Sequence, residues 1–316
     1  SKSFTKLASQ IAAATLAYQA MSKVVSKVVG TFKSFEFQMA KTRAITGAND
    51  AEFKKLSQSA KELGRTTFFT ASQVAELQTN YGKLGFTTDE ILKAQEATIQ
   101  LATATGSDLA RAATVAGASV RGFGLDASET QRVVDVMAVA FTGSAMDIEK
   151  WQTSMSKVAP IAKSAGFTLE DTAAIMSKLQ DAGIEASISG TSLRNILLKM
   201  QDPSSKLTAS FGKTIHGLDE LVPAMKQFII EGGSMKDVME VVDDRQAAAF
   251  EQMLTTADAT ADFAEEMNNA TGTAKNMSEI IGDTLEGSFK RLTSATEGLA
   301  IALFEELSGK GLQGGI

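Results

Sequence analysis

Few residues in this 316-residue chain have the types and spacing that chemistry asks for. It holds 1 histidine, His216, and no cysteine. A lone imidazole cannot complete a His-Glu-x-x-His zinc site. Without thiols there is no disulfide, no cysteine nucleophile and no cysteine-held zinc or iron–sulfur cluster. His216 lies in a glycine-flanked stretch, where a solvated or hydrogen-bonded turn residue is the plainer reading and a ligand or base the sharper one. Gly212-Lys213-Thr214 has the tail of a phosphate-binding loop, but Leu207 stands where the first glycine must be. Ser3…Lys6 and Ser154…Lys157 match Ser-x-x-Lys without its companion motifs. The acid pairs Asp89/Glu90, Glu170/Asp171, Asp243/Asp244 and Glu265/Glu266 offer carboxylates for glycoside hydrolysis. Their expected places, in first turns of helices and on solvent faces, suit helix-dipole complementation better. The sequence therefore predicts no catalytic residue, no metal ligand, no cofactor site and no enzyme.

The remaining composition points to helices. Hydrophobic residues make up 44% and charged residues 22%, with only 3 prolines, 2 tyrosines and 1 tryptophan, a balance that predicts an all-α chain with small residues at its interfaces. The 13 methionines read as scattered core filling, or as an adaptable surface. Trp151 reads as core, or as an anchor for a partner. The net charge is −6, but residues 1–65 carry +7 and residues 66–316 carry −13. The first part can meet something acidic, or simply present a solvated charged face; the rest repels DNA, and no stable nucleic-acid binding is expected. No apolar run reaches the roughly 20 residues that span a bilayer, and membrane contact is not encoded.

The most regular signal is a seam. Phe4, Leu7, Ile11, Ala14, Tyr18, Met21, Val25, Val28, Phe32, Phe35 and Met39 follow one another at alternating spacings of three and four. An ideal helix drifts off such a repeat, so the pattern calls for a left-handed supercoil with partner helices. Two readings stand: a homo-oligomeric coiled coil over 1–46, or a long amphipathic helix packed on its own chain. Phe4 and Phe32 at a positions and Val28 at a d position favour a trimer or higher order over a dimer.

Beyond Gly47 short amphipathic helices alternate with glycines. Asp50 is expected to cap a helix stopped by Gly64, and Thr70…Gln73 has the form of a capping box. Gly85-Phe86-Thr87, Gly124-Leu125-Asp126 and Gly166-Phe167-Thr168 repeat one device: a stopping glycine, an apolar residue, a capping residue and an acid three positions on. The starts lie 39 and 42 residues apart, room for two helices and two turns, and predict stacked helical hairpins. Further helices are expected over Asp147–Ala165, Leu169–Ala182 and Thr191–Gln201, a short turn or hairpin over Phe211–Gly217, a cap at Ser234, and one long helix from Thr273 to Leu307. The expected division is a coiled-coil helix over 1–46, a helical-hairpin body over 47–203, a short-helix connector over 204–256 and C-terminal helices over 257–316. The chain opens inside the seam and closes on Gly314-Gly315-Ile316, so it is expected to be a piece of something longer.

Several strings, taken in order, resemble the core region of phage tail tape measure proteins. They include Met39-Ala40-Lys41-Thr42-Arg43-Ala44-Ile45-Thr46-Gly47, Ala60-Lys61-Glu62-Leu63-Gly64-Arg65 and Thr70-Ala71-Ser72-Gln73-Val74-Ala75-Glu76. Gly122-Phe123-Gly124-Leu125, Val158-Ala159-Pro160-Ile161-Ala162-Lys163, Gly190-Thr191-Ser192-Leu193-Arg194-Asn195, Asp244-Arg245-Gln246-Ala247-Ala248-Ala249-Phe250 and Gly287-Ser288-Phe289-Lys290-Arg291-Leu292 follow. The stretch Leu207–Leu221 departs from the pattern, being shorter than the β-like turn of relatives. The resemblance implies a structural virion protein with no catalytic residues in this region. It would oligomerise inside the tail tube or tip, with tail symmetry allowing three or six copies. It would contact tail tube, distal tail and baseplate hub proteins, template tail length from the host cytoplasm onward, and leave before DNA ejection. As one unbroken helix the piece would span roughly 470 Å; folded hairpins span far less, so 46–316 reads as a docking or plug module rather than a ruler. The alternatives are a generic helical-repeat scaffold for protein partners, or a segment attached to a cell-wall hydrolase.

Overall fold

The computed structural model describes residues 2–309, with side-chain surroundings given for Gln19 and from Ser22 onward, except at Met235, Leu307 and Ser308. The described residues form sixteen α-helices and a single 3-10 turn, with no strand among them. In chain order, the first five helices are α1 (Lys2–Thr46), α2 (Asp50–Thr66), α3 (Ala71–Lys83), α4 (Thr88–Thr105) and α5 (Leu109–Phe123). Then come α6 (Thr130–Gly143), α7 (Ile148–Ser164), α8 (Leu169–Asp181), α9 (Ala186–Gln201), α10 (Lys206–Phe211) and α11 (Leu218–Ile230). The last are α12 (Met235–Val241), α13 (Asp244–Thr255), α14 (Ala257–Asn268), α15 (Thr273–Gly282) and α16 (Leu285–Ser308). The all-α class expected from the composition is the class observed.

Local chemistry sets most boundaries. Thr70 and Gln73 close a reciprocal capping box at the start of α3, as Thr168 and Asp171 do for α8 and Ser234 and Asp237 for α12. Gly85, Gly124 and Gly166 all take the left-handed conformation that an L side chain resists. At each, the next residue donates its N–H five residues back: Phe86 to Tyr81 O, Leu125 to Val120 O and Phe167 to Ala162 O, at 2.9–3.1 Å. The expected repeat of stops is therefore one repeated hydrogen-bonding motif.

Four boundaries differ from expectation. The cap of α2 is Asn49, whose Oδ1 accepts from the N–H groups of Ala51 and Glu52, while Asp50 is the first helical residue and pairs with Arg43. Gly64 lies inside α2 rather than ending it; a Cβ there would meet the Ala71 backbone N at 2.5 Å, so its role is close approach to α3. Helix α9 begins at Ala186, capped by Glu185, ahead of Thr191. The long helix expected from Thr273 is two helices, because Thr284 adopts an extended conformation and its hydroxyl accepts the Gly287 N–H, starting α16 afresh.

The chain divides into two compact units: Ser1–Thr88 with Thr284–Ile316, and Asp89–Asp283. In the first, the C-terminal part of α1 packs on α3 and α16, and α2 packs on α3 and α16. Phe35, Met39, Leu56, Leu77 and Tyr81 are fully buried there. In the second, α5, α7 and α9 lie side by side, and α6, α8 and α14 form a further set of neighbours, with α13 against α9 and α15 against α6. Trp151 is fully buried in this unit: its Nε1–H donates to Ser119 Oγ at 3.0 Å, and its ring meets Phe141 edge-on. It is core and no surface anchor. Small residues set the spacing; a Cβ on Gly190 of α9 would lie 2.7 Å from the Ser154 carbonyl oxygen of α7.

Candidate interaction surface

The residues that chemistry would use do not assemble. His216 is exposed in the turn before α11; its backbone N–H donates to Glu220, whose carboxyl is held below the usual range by that bond first and by Lys213 second. Lys213 of the phosphate-loop look-alike thus serves an ion pair with Glu220. Ser154 is buried and gives its hydroxyl proton to the Lys150 carbonyl, while Lys157 is exposed. Ser3 and Lys6 lie outside the residues whose side chains are described. Asp89, Asp243, Asp244, Glu265 and Glu266 are exposed. Among the described residues no group of three or more His, Asp or Glu side chains can hold a metal ion, and no helix is long and apolar enough to cross a membrane.

Glu170 departs from the solvent-face expectation. It is buried in α8 and takes two hydrogen bonds from Arg132 of α6, at 2.7 and 2.8 Å. Those bonds hold the guanidinium more basic than usual, against the opposing effect of its partial burial. Asp135, also buried in α6, accepts the backbone N–H groups of Gly272 and Ala274 at 3.0 and 2.9 Å. A side chain 137 residues away therefore caps α15. Its sequence signal was a single acid inside the apolar run Val133–Phe141, where a carboxylate must find donors or remain unsatisfied.

Surfaces for other proteins are the stronger candidates. The α1 helix runs 45 residues, roughly 67 Å. Of its seam, Phe4, Leu7, Ile11, Ala14, Tyr18 and Met21 have side chains outside the described set. Val25 is 52% exposed and Val28 half-buried. Phe32, Phe35 and Met39 are buried in their own unit, with the Phe32 ring stacked on Phe304 of α16 at 4.1 Å between centroids. Burying three such side chains contributes roughly 2 kcal/mol each to the unit. Just beyond them Thr42 is buried, with its Oγ1 3.0 Å from the Ala75 carbonyl and 2.9 Å from Thr79 Oγ1. The Lys61–Glu305 ion pair, the Ser294 hydroxyl on the Phe69 carbonyl and the Ser72 N–H on Glu297 tie α16 to α2 and its flanks. The described seam thus changes character along α1, from apolar side chains in water to side chains inside a core.

Comparison with known proteins adds the following. The family described as phage-related minor tail protein matches residues 57–253. The chain is 29% identical over 281 residues to a tape measure protein of Pneumococcus phage Dp-1, a similarity that takes in 84% of this chain and 24% of that protein. The chain thus spans about a quarter of that relative's length. No solved structure matches.

Proposed function

Because the chain belongs to the phage-related minor tail protein family, we propose that it is a length of tape measure protein, a structural part of the virion tail with no catalytic task. The similarity along 84% of the chain to a protein of that name carries the reading. In this reading, copies of the chain associate through the forward part of the α1 seam, from Phe4 to Val25, as a trimer or, under sixfold tail symmetry, a hexamer. The rear of the seam holds each copy's own helices together. The folded units dock in the tube lumen or the tip, against tube, distal tail and baseplate hub proteins, after assembly in the host cytoplasm. The −13 charge of residues 66–316 suits a conduit component that must let DNA pass at ejection.

Tail length supplies the test. In phage carrying the full-length protein, removal of three whole heptads from the forward part of α1 keeps the seam in phase. It should shorten the tail by about 30 Å if that helix lies along the tube. Tails of unchanged length would remove the ruler role from α1. Replacing Ile11 and Val25 with Asp should lower the oligomeric mass of the 316-residue chain in sedimentation, since each buried unpaired charge costs several kcal/mol. A wild-type chain that sediments as a monomer at high concentration would remove the seam's role between copies.

A further inference from the structure

Helix α16 is apolar on two opposite sides. On one side Ser294 and Ile301 are buried and Phe304 stacks on Phe32, within the unit already described. The other side carries Leu285, Phe289, Leu292, Leu299 and Leu303, with Thr296 filling the gap in an unbroken alternation of four and three. At about 100° per residue, Leu292 and Leu299 point roughly 160–180° away from Ile301. These side chains stand in water: Leu285 is 76% exposed, Leu299 69% and Phe289 61%. A surface helix of a soluble protein keeps one apolar stripe, the one it buries. A second stripe in heptad register is a seam without its partner.

We propose that this outer stripe of α16 pairs with the same stripe of a second copy of the chain. Size favours that occupant. The exposed apolar side chains amount to on the order of 500 Å² per copy, so pairing two copies removes about 1,000 Å² from water, the size at which a contact becomes specific. Charge favours it too. The positions flanking the stripe are Glu286, Ser288, Thr293, Ala295, Ala300 and Ala302, five neutral residues and one acid, so two copies face each other without rows of like charge. A lipid surface fits less well. Apart from its apolar faces, α16 carries Glu286, Glu297, Glu305 and Glu306 against Lys290 and Arg291, an acidic balance where membrane-lying helices are basic. The proposal uses no residue of the α1 seam and does not depend on the tape measure reading.

The absence of cysteine makes the test clean, since each variant carries one thiol. Thr296 lies near the middle of the stripe, so Thr296→Cys places thiols close together whether the two helices run parallel or antiparallel. Treated with a short bis-maleimide, the 316-residue Thr296→Cys chain should give about tenfold more covalent dimer than Lys54→Cys, an exposed site on α2, because pairing raises the local thiol concentration. Adding Leu292→Asp and Leu299→Asp, both at exposed positions, should remove the excess and leave the helical circular dichroism unchanged. The excess should survive Ile11→Asp with Val25→Asp. Equal yields from the two thiols, an excess indifferent to the aspartates, or an excess lost with the α1 substitutions would each overturn self-pairing of α16, whatever the fate of the ruler.

Discussion

Two buried carboxylates, Glu170 and Asp135, do the most structural work among single residues. Each is stable inside only because its lone pairs are used: Glu170 by the guanidinium fork of Arg132, Asp135 by two backbone N–H groups at the head of α15. Asp135 matters more for order along the chain, since α15 begins at Thr273 behind a left-handed Gly272 that has no side chain with which to cap it. Asp135→Ala should cost about 1–3 kcal/mol, the penalty for leaving buried donors unsatisfied. Hydrogen exchange should locate the loss in the first turn of α15, with α5, α7 and α9 unaffected. Uniform loosening across the unit, or none, would contradict the cap. This partnership was out of reach of sequence reasoning because helix periodicity reports only neighbours within a few residues. What could be read was narrower: an acid in an apolar run needs donors from somewhere.

Helices and their contacts obey shorter-range rules, and there the sequence was informative. The stops at Gly85, Gly124 and Gly166 and the boxes at Thr70, Thr168 and Ser234 were legible because each cap is complete within six residues. The break before α16 was not. Ile281 and Leu285 keep the four-residue step of a continuing helix, so the apolar phase runs straight across the point where Thr284 restarts it. Gly64 was misread for a related reason: a glycine that ends a helix and one that admits a neighbouring backbone look alike in one dimension. Three dimensions separate such glycines, and the sign of a substitution follows. Gly190→Ala puts a methyl against the Ser154 backbone, which cannot swing aside, and should cost about 1–3 kcal/mol. Gly30→Ala meets nothing within 4 Å in the middle of α1 and should gain about 0.5–1 kcal/mol of helix stability. Denaturant titration of the two variants should show midpoints moving in opposite directions; movement in the same direction would mean that propensity, not packing, governs α9.

At the level of the whole chain, the division at Thr88/Asp89 and Asp283/Thr284 makes one unit continuous and the other discontinuous. Residues 89–283 fall within the usual size of an independent domain. They also contain buried side chains at Trp151, Met137, Leu169, Met176 and Phe250, and their own polar ties at Asp135 and Glu170. The first unit is different, because its Phe32–Phe304 stack and Lys61–Glu305 pair join chain segments that lie on either side of the insertion. Residues 89–283 produced alone should therefore be helical and melt in one cooperative transition. Residues 1–88 alone should lack tertiary protection until residues 284–316 are supplied, in trans or across a short linker. A melt of 89–283 without a sharp transition, or a stable 1–88, would show that the energetic boundary lies elsewhere. If the prediction holds, the two ends of the chain fold only together. A deletion that removes Asp89–Asp283 and bridges its ends would then leave α1 and α16 paired, so that association through either seam could be measured without the larger unit.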